Sequence, residues 1–332
     1  MALCFLLCLQ SLLLHLNPEN MKIVFLDVKT LGDVPNLDLF REFGEFVSYQ
    51  TTAPDQVAAR INGAAIVITN KVTLDRTAME TARDLKLICV AATGINNIDL
   101  DYARQAGIAV KNVEGYSTHS VAQLTFALLL HLLHRIAYFD TYVKQGGYAQ
   151  SDIFTHLGDG FRELQGKRYG IIGLGNIGRQ VARIAEAFGA EVVYYSASGR
   201  NTAQPYARFS LDELLSTSDV VSIHSPLNEQ TYHLITAREL QQLRKNAILI
   251  NVGRGGIIRE ADLARALDAD LLAGAALDVF EQEPIRPDNP LLHIRNKHKL
   301  VLTPHIAWGS LEARTVLLEK VGHNIRSFIQ SS

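Results

Sequence analysis

At 332 residues and 36.7 kDa the chain is long enough for about two domains. Apolar residues make up 48% and charged residues 20%, which excludes a disordered chain, and 9 prolines and 23 glycines exclude collagen-like and low-complexity classes. Lys and Arg total 32 against 34 Asp and Glu, so the chain lacks the basic surplus that gripping a nucleic-acid backbone demands. Two of the three cysteines lie within the first eight residues, leaving Cys89 unable to build a disulfide framework, and a reducing, cytoplasmic setting is expected.

The N-terminal run LCFLLCLQSLLLHL (3–16) is apolar but shorter than the ~20 residues that span a bilayer as a helix. It has no basic residue ahead of it and no small-residue cleavage site behind it, unlike an export signal. Residues 1–20 are therefore expected to be a leader outside the fold, with Met21 the effective start, and no membrane partner is expected.

From Met21 onward, β-branched runs alternate with helical patterns, which implies parallel sheets with crossover helices. Strands are expected at 22–27, 64–69, 85–92 and 108–113, with helical stretches PNLDLFREFG and DRTAMETARD between them. A long helix follows from Ser120 to about Tyr142, apolar nearly all round and expected to be buried between domains or subunits. A second βα series has strands at 168–175, 191–196, 219–226, 247–253, 272–280 and 299–305, and a helix from about Ser310 to Phe328 closes the chain. With no Pro-, Gly- or Ser-rich linker, two closely packed domains with a ligand cleft between them are expected.

Directly after the strand at 168, GLGNIG carries Gly173, Gly175 and Gly178 in G-x-G-x-x-G spacing, ahead of the helical pattern RQVARIAEAFG. The first glycine makes a tight turn, the second admits a pyrophosphate and the third allows close helix–strand packing, with the anion on the helix N-terminus. In this strand–turn–helix context the motif predicts a dinucleotide site. The acid that accepts from the adenosine ribose in NAD enzymes is missing: Ser196 stands in its place, and no Asp or Glu occurs between Glu191 and Asp212. Ser196, Ser198 and Arg200 can instead serve a 2′-phosphate, so NADP(H) is favoured and NAD(H) stays open.

Arg254 (NVGRGG), Glu283 (LDVFEQEP) and His305 (TPHIAW) fall at the C-terminal ends of successive predicted strands, where α/β sheets place their chemistry. Hydride transfer to a 2-oxo acid needs a carboxylate anchor, a polarised carbonyl and a proton donor. Arg254 offers a bidentate fork, and His305 an acid–base group with an ordinary pKa near ~6.5. Glu283 beside the ring would orient it and favour imidazolium. His224 is a lesser acid–base candidate. His131 and His134 share a helix face, but no third ligand is near, and no metal site is expected.

From Lys22 to Phe328 the chain resembles the D-isomer-specific 2-hydroxyacid dehydrogenases, on the strength of GLGNIG, NVGRGG, LDVFEQEP and TPHIAW in that order. The resemblance implies two Rossmann-like α/β parallel-sheet domains, one flavodoxin-like and one dinucleotide-binding. It also implies a discontinuous substrate domain, 21–117 plus 306–332, around an NAD(P) domain at 118–305. It makes Arg254, Glu283 and His305 the catalytic trio. Thr118, Asn176, Ile177, Ser225, Val252 and Asp278 become cofactor contacts, Thr93 and Gly94 of AATGINNID main-chain ligands of the substrate carboxylate, and Trp308 a pocket wall. YVKQGGY (142–148) resembles the family's dimer-embracing arm, so a homodimer is expected.

Some features depart from family branches. Val90 replaces a substrate-binding Arg of the phosphoglycerate branch, and the sequence ends 27 residues after His305 with no regulatory domain, so 3-phosphoglycerate is not the expected substrate. Glu283, where formate dehydrogenases carry Gln, argues against that reaction. Short substrates such as hydroxypyruvate, glyoxylate or glycerate are favoured. A dinucleotide-sensing corepressor with little turnover is the second reading.

Overall fold

A computed structural model describes residues 21–158, 160–200 and 204–331; the expected leader lies outside them. The chain divides into two compact units, Thr118–Trp308 and the residues on either side of it.

The flanking unit is built on β1 (Lys22–Phe25), β2 (Glu45–Ser48), β3 (Ile66–Thr69), β4 (Leu87–Val90) and β5 (Ala109–Lys111), all parallel in the order β2-β1-β3-β4-β5. Strands β3 and β4 are buried along their whole length, which is why they read as unbroken apolar runs. β2 was not foreseen: EFVS is a half-exposed edge strand without that signature. PNLDLFREFG forms a 3-10 helix, Leu37–Phe43, instead of an α-helix. The short Arg76–Thr81 and Leu100–Gln105 helices are each started by an aspartate: Asp75 accepts from the Ala78 N–H and Asp99 from the Tyr102 N–H. Asp27, buried just past β1, accepts from the N–H groups of Asn70, Lys71 and Val72 and pins the turn after β3. The last helix, Leu311–Ser331, packs on β4 and on the 37–43 segment.

The other unit is a seven-stranded parallel sheet: β6 (Arg168–Ile172), β7 (Glu191–Tyr195), β8 (Ala207–Arg208), β9 (Val220–Ile223), β10 (Ile248–Asn251), β11 (Gly274–Leu277) and β12 (Leu300–Leu302). Their order is β8-β7-β6-β9-β10-β11-β12, so the connections reverse direction between β6 and β9, where open α/β sheets form their ligand crevice. Alternate residues feed two cores: Ile172, Leu249 and Leu277 one face, Ile171, Ile250 and Ala276 the other.

The long predicted helix is two helices, Thr118–His134 and Ile136–Lys144, broken at Arg135, whose φ of 50° is left-handed. The first packs on this unit's own Asn176–Ala187 helix and on β10 to β12, and the second buries no residue. No Gly or Pro announces the break. No single helix among the described residues is long and apolar enough to cross a membrane. The unit ends after Trp308, three residues beyond the expected boundary at His305. The cause is Asp278, which holds the Ile306 and Ala307 N–H groups against the end of β11.

Candidate active site

The glycine turn follows β6 at the reversal point. Gly173 has φ +94°, and a Cβ there would stand 2.4 Å from Ser225 Oγ, so both conformation and space require glycine. A Cβ on Gly178 would lie 2.2 Å from the Gly173 carbonyl oxygen, which fixes the Asn176–Ala187 helix close against the turn. Gly175 is different: among the described residues a Cβ there would meet nothing within 4 Å. The protein's own packing makes no demand at that position, and the open space at the helix N-cap is where a pyrophosphate would lie. The residues present therefore fit a dinucleotide. Ser225, buried, donates to the Ile172 carbonyl (3.3 Å), and Val252 is buried nearby in sequence order after β10. Asn176 is exposed and accepts from Arg179 (2.6 Å), Ile177 is half-buried, and Thr118 opens its helix.

At the end of β7, Ser196 is only 6% exposed, and its carbonyl accepts from the Gly199 N–H (3.2 Å) to close a turn. Ser198 and Arg200 are exposed on that turn, so they, more than Ser196, face outward for a ligand.

Arg254, Glu283 and His305 follow β10, β11 and β12, which are neighbours in the sheet. His305 Nδ1 and Glu283 Oε2 are 2.6 Å apart, an ion pair whenever the ring is protonated. With Nδ1 engaged, Nε2 is the nitrogen left for proton transfer. Glu283 Oε1 accepts from the Phe280 N–H (3.0 Å), so the carboxylate is held at both oxygens. Arg254 is exposed and donates from Nη1 to the Gly253 carbonyl (2.8 Å).

What holds these segments was not legible as motif. Buried Asn251 donates to the Arg254 carbonyl (2.9 Å) and accepts from the Gly253 N–H (3.0 Å), shaping the arginine loop. A Cβ on Gly255 would sit 1.7 Å from the Phe280 carbonyl oxygen, so the arginine loop lies directly on the loop bearing Glu283. Glu260 and Glu281 exchange bonds: each carboxylate accepts the other's main-chain N–H (2.9 and 2.6 Å). Burial raises the Glu260 pKa above the usual carboxylate value, against the hydrogen bonds from Asn289 and Glu281.

Asp278 has the same supporting role for His305. Its carboxylate accepts from Thr303 Oγ1 (2.6 Å) and from the N–H groups of Ile306 and Ala307 (2.9 and 2.8 Å). Its own carbonyl accepts from the His305 N–H (2.8 Å). These four bonds keep His305 in its left-handed conformation, φ 54°. Desolvation raises the Asp278 pKa, and the three donors oppose it. Trp308 is half-buried at the end of this segment.

In the flanking unit, Thr93 is exposed after β4; its Oγ1 donates to the Val113 carbonyl (3.0 Å) and its carbonyl accepts from Asn112 (2.7 Å). The Thr93 hydroxyl is thus spent on the loop itself. Gly94 is half-buried beside it.

A family model described as "D-isomer specific 2-hydroxyacid dehydrogenase, NAD binding domain" matches residues 126–307. The chain is 37% identical over 320 residues to a hydroxypyruvate reductase of Blautia hydrogenotrophica, covering 94% of this chain and 98% of the relative. Among solved structures it resembles an NADPH-dependent glyoxylate/hydroxypyruvate reductase of Sinorhizobium meliloti in complex with NADP and malonate, with TM-score 0.78, 26% identity and 93% and 94% of the two chains covered. It also resembles a D-lactate dehydrogenase of Aquifex aeolicus complexed with NAD and lactic acid, with TM-score 0.76, 28% identity and 93% and 96% covered. The glycine turn at the sheet's reversal point and these matches agree: the chain belongs to the D-isomer-specific 2-hydroxyacid dehydrogenases, a family of nicotinamide-dependent oxidoreductases.

Proposed function

We propose that this chain interconverts short 2-oxo acids, of the hydroxypyruvate, glyoxylate and glycerate class, with their D-2-hydroxy acids, using NADP(H) in preference to NAD(H). The observation that carries the reading is the 2.6 Å pair of His305 Nδ1 and Glu283 Oε2 beside the Arg254 loop, on three neighbouring strand ends. The nicotinamide, when bound, supplies or receives the hydride. Arg254 holds the substrate carboxylate and polarises the C2 carbonyl through its planar fork. His305 gives the proton from Nε2 to the oxygen at C2 during reduction, and Glu283 holds the ring and supports the imidazolium. Main-chain N–H groups at Thr93 and Gly94 bind the substrate carboxylate, and Trp308 walls the pocket. Gly173, Gly175, Asn176, Ile177 and Gly178 hold the pyrophosphate, with Thr118, Ser225, Val252 and Asp278 as further cofactor contacts.

Support for NADP(H) comes from the acid-free stretch between Glu191 and Asp212 and from the exposed Ser198 and Arg200. The reading includes a homodimer, supported by the exposed apolar residues Ile136, Val143, Tyr148, Ile153, Phe154 and Leu157 around the 142–148 arm. It also includes a cytoplasmic location, for which the support is the shortage of cysteines. The test is the oxidation of NADPH and NADH, followed spectrophotometrically, against a panel of 2-oxo acids. Turnover with a short 2-oxo acid, faster with NADPH, is the expected result. Tight cofactor binding without turnover on any acid would favour a dinucleotide sensor instead.

A further inference from the structure

The turn after β7 has a second basic side chain beside it that no motif announces. Arg208 ends β8, the two-residue edge strand, opposite Tyr194 of β7, and the following Phe209 N–H donates to the Tyr194 carbonyl (2.9 Å). This places its guanidinium against the ribose turn: a Cβ built at Gly199 would stand 3.9 Å from Arg208 Nη2. Gly199 itself has φ +68° and follows Ser198, next to Arg200.

Nearby arginines are already engaged. Arg168 is paired with Glu191 (3.0 Å), and Arg179 donates to Asn176 and to the Leu174 carbonyl. Arg208 is exposed and has no carboxylate partner among the described residues. Arg208 thus reaches a turn that itself carries the exposed Arg200 and from which acids are missing, where this fold receives the adenosine ribose. One exposed arginine is a weak phosphate ligand in water, whereas two forks can share the three oxygens of a phosphate monoester.

We infer that Arg208 is a specificity-determining residue: together with Arg200 it grips the ribose 2′-phosphate of NADP(H). The inference rests on the NADP(H) preference proposed above and adds a residue to it. The dull role for such a side chain is to blunt an exposed sheet edge against strand pairing, and that role would not distinguish two nucleotides.

The test uses the full chain and two probes, 2′,5′-ADP and 5′-AMP, titrated calorimetrically, with melting curves to confirm that each variant is folded. The wild-type protein is expected to bind 2′,5′-ADP more tightly. Arg208→Gln should weaken 2′,5′-ADP about ten-fold and leave 5′-AMP within about two-fold, while Arg208→Lys should recover part of the loss. The wild-type preference should also shrink as salt is raised. If Arg200→Gln weakens 2′,5′-ADP and Arg208→Gln does not, the role of Arg208 is refuted and the NADP(H) reading stands. Equal loss for both probes in Arg208→Gln refutes it as well. If the wild-type protein does not distinguish the probes, the cofactor preference itself fails, and Arg208 with it.

Discussion

Two glycines of the same motif should respond to one added methyl group in opposite ways. In Gly178→Ala the new Cβ starts 2.2 Å from the Gly173 carbonyl oxygen, a backbone atom that cannot rotate away. Restoring a normal contact requires about 1 Å of displacement between helix and turn, at a cost of roughly 1–3 kcal/mol. At about 2–4 °C per kcal/mol for a unit the size of Thr118–Trp308, that unit's melting temperature should fall by roughly 2–12 °C. In Gly175→Ala the Cβ enters open space, and the native φ of −80° suits alanine, so the cofactor-free protein should be as stable as wild type to within about 0.5 kcal/mol. Its defect should emerge only with ligand. NADPH at about 100 times its Kd protects the wild-type protein by about 2.7 kcal/mol; a hundred-fold loss of affinity leaves about 0.4 kcal/mol. Thermal melts with and without NADPH separate these cases. Full protection of Gly175→Ala by NADPH would show that no phosphate passes over that position, and the dinucleotide site would have to be moved.

Three other outcomes follow from the geometry. His305→Ala should lower kcat by roughly 10²–10⁴-fold with little change in KM, whereas Arg254→Ala should damage both, which steady-state kinetics resolves. Thr303→Val leaves the buried Asp278 carboxylate short of its 2.6 Å donor and should cost about 1–3 kcal/mol by urea unfolding; Thr303→Ser should restore it. Burial lowers the His224 pKa from 6.5 to about 3, with Nε2 2.9 Å from Ser222 Oγ and Nδ1 without a partner among the described residues. Because the folded value is the lower one, this stability is complete above pH 6.5 and is lost as pH falls towards 3. At pH 5 the wild-type protein should have lost about 2 kcal/mol more than His224→Leu, and parallel pH dependences would refute the assignment.

The strands legible in the sequence were those buried on both faces, such as IVIT in β3 and ILIN in β10, where nothing competes with the apolar signal. Edge strands β2 and β8 bury little and carry no such signal. The Arg135 break was hidden because the apolar pattern runs through it, while the change of direction is a single left-handed residue. In the site, Gly173, Arg254, Glu283 and His305 stand out because each follows a strand in a dense local motif. Their supports do not: Glu260 with Glu281, Asp278 with Thr303, and Arg208 against Gly199 join residues that only the sheet order brings together.

The chain leaves its first unit after Ser117 and rejoins it at Gly309, so that the Leu311–Ser331 helix, buried through Leu317, Leu318, Val321 and Ile325 against β4 and the 37–43 segment, is made after the inserted unit. On the ribosome the inserted unit can therefore finish folding while the earlier one still waits for its final helix with apolar surface uncovered. Synthesis halted before Gly309 would release a half-finished first unit, an obvious substrate for chaperones, beside a complete second one.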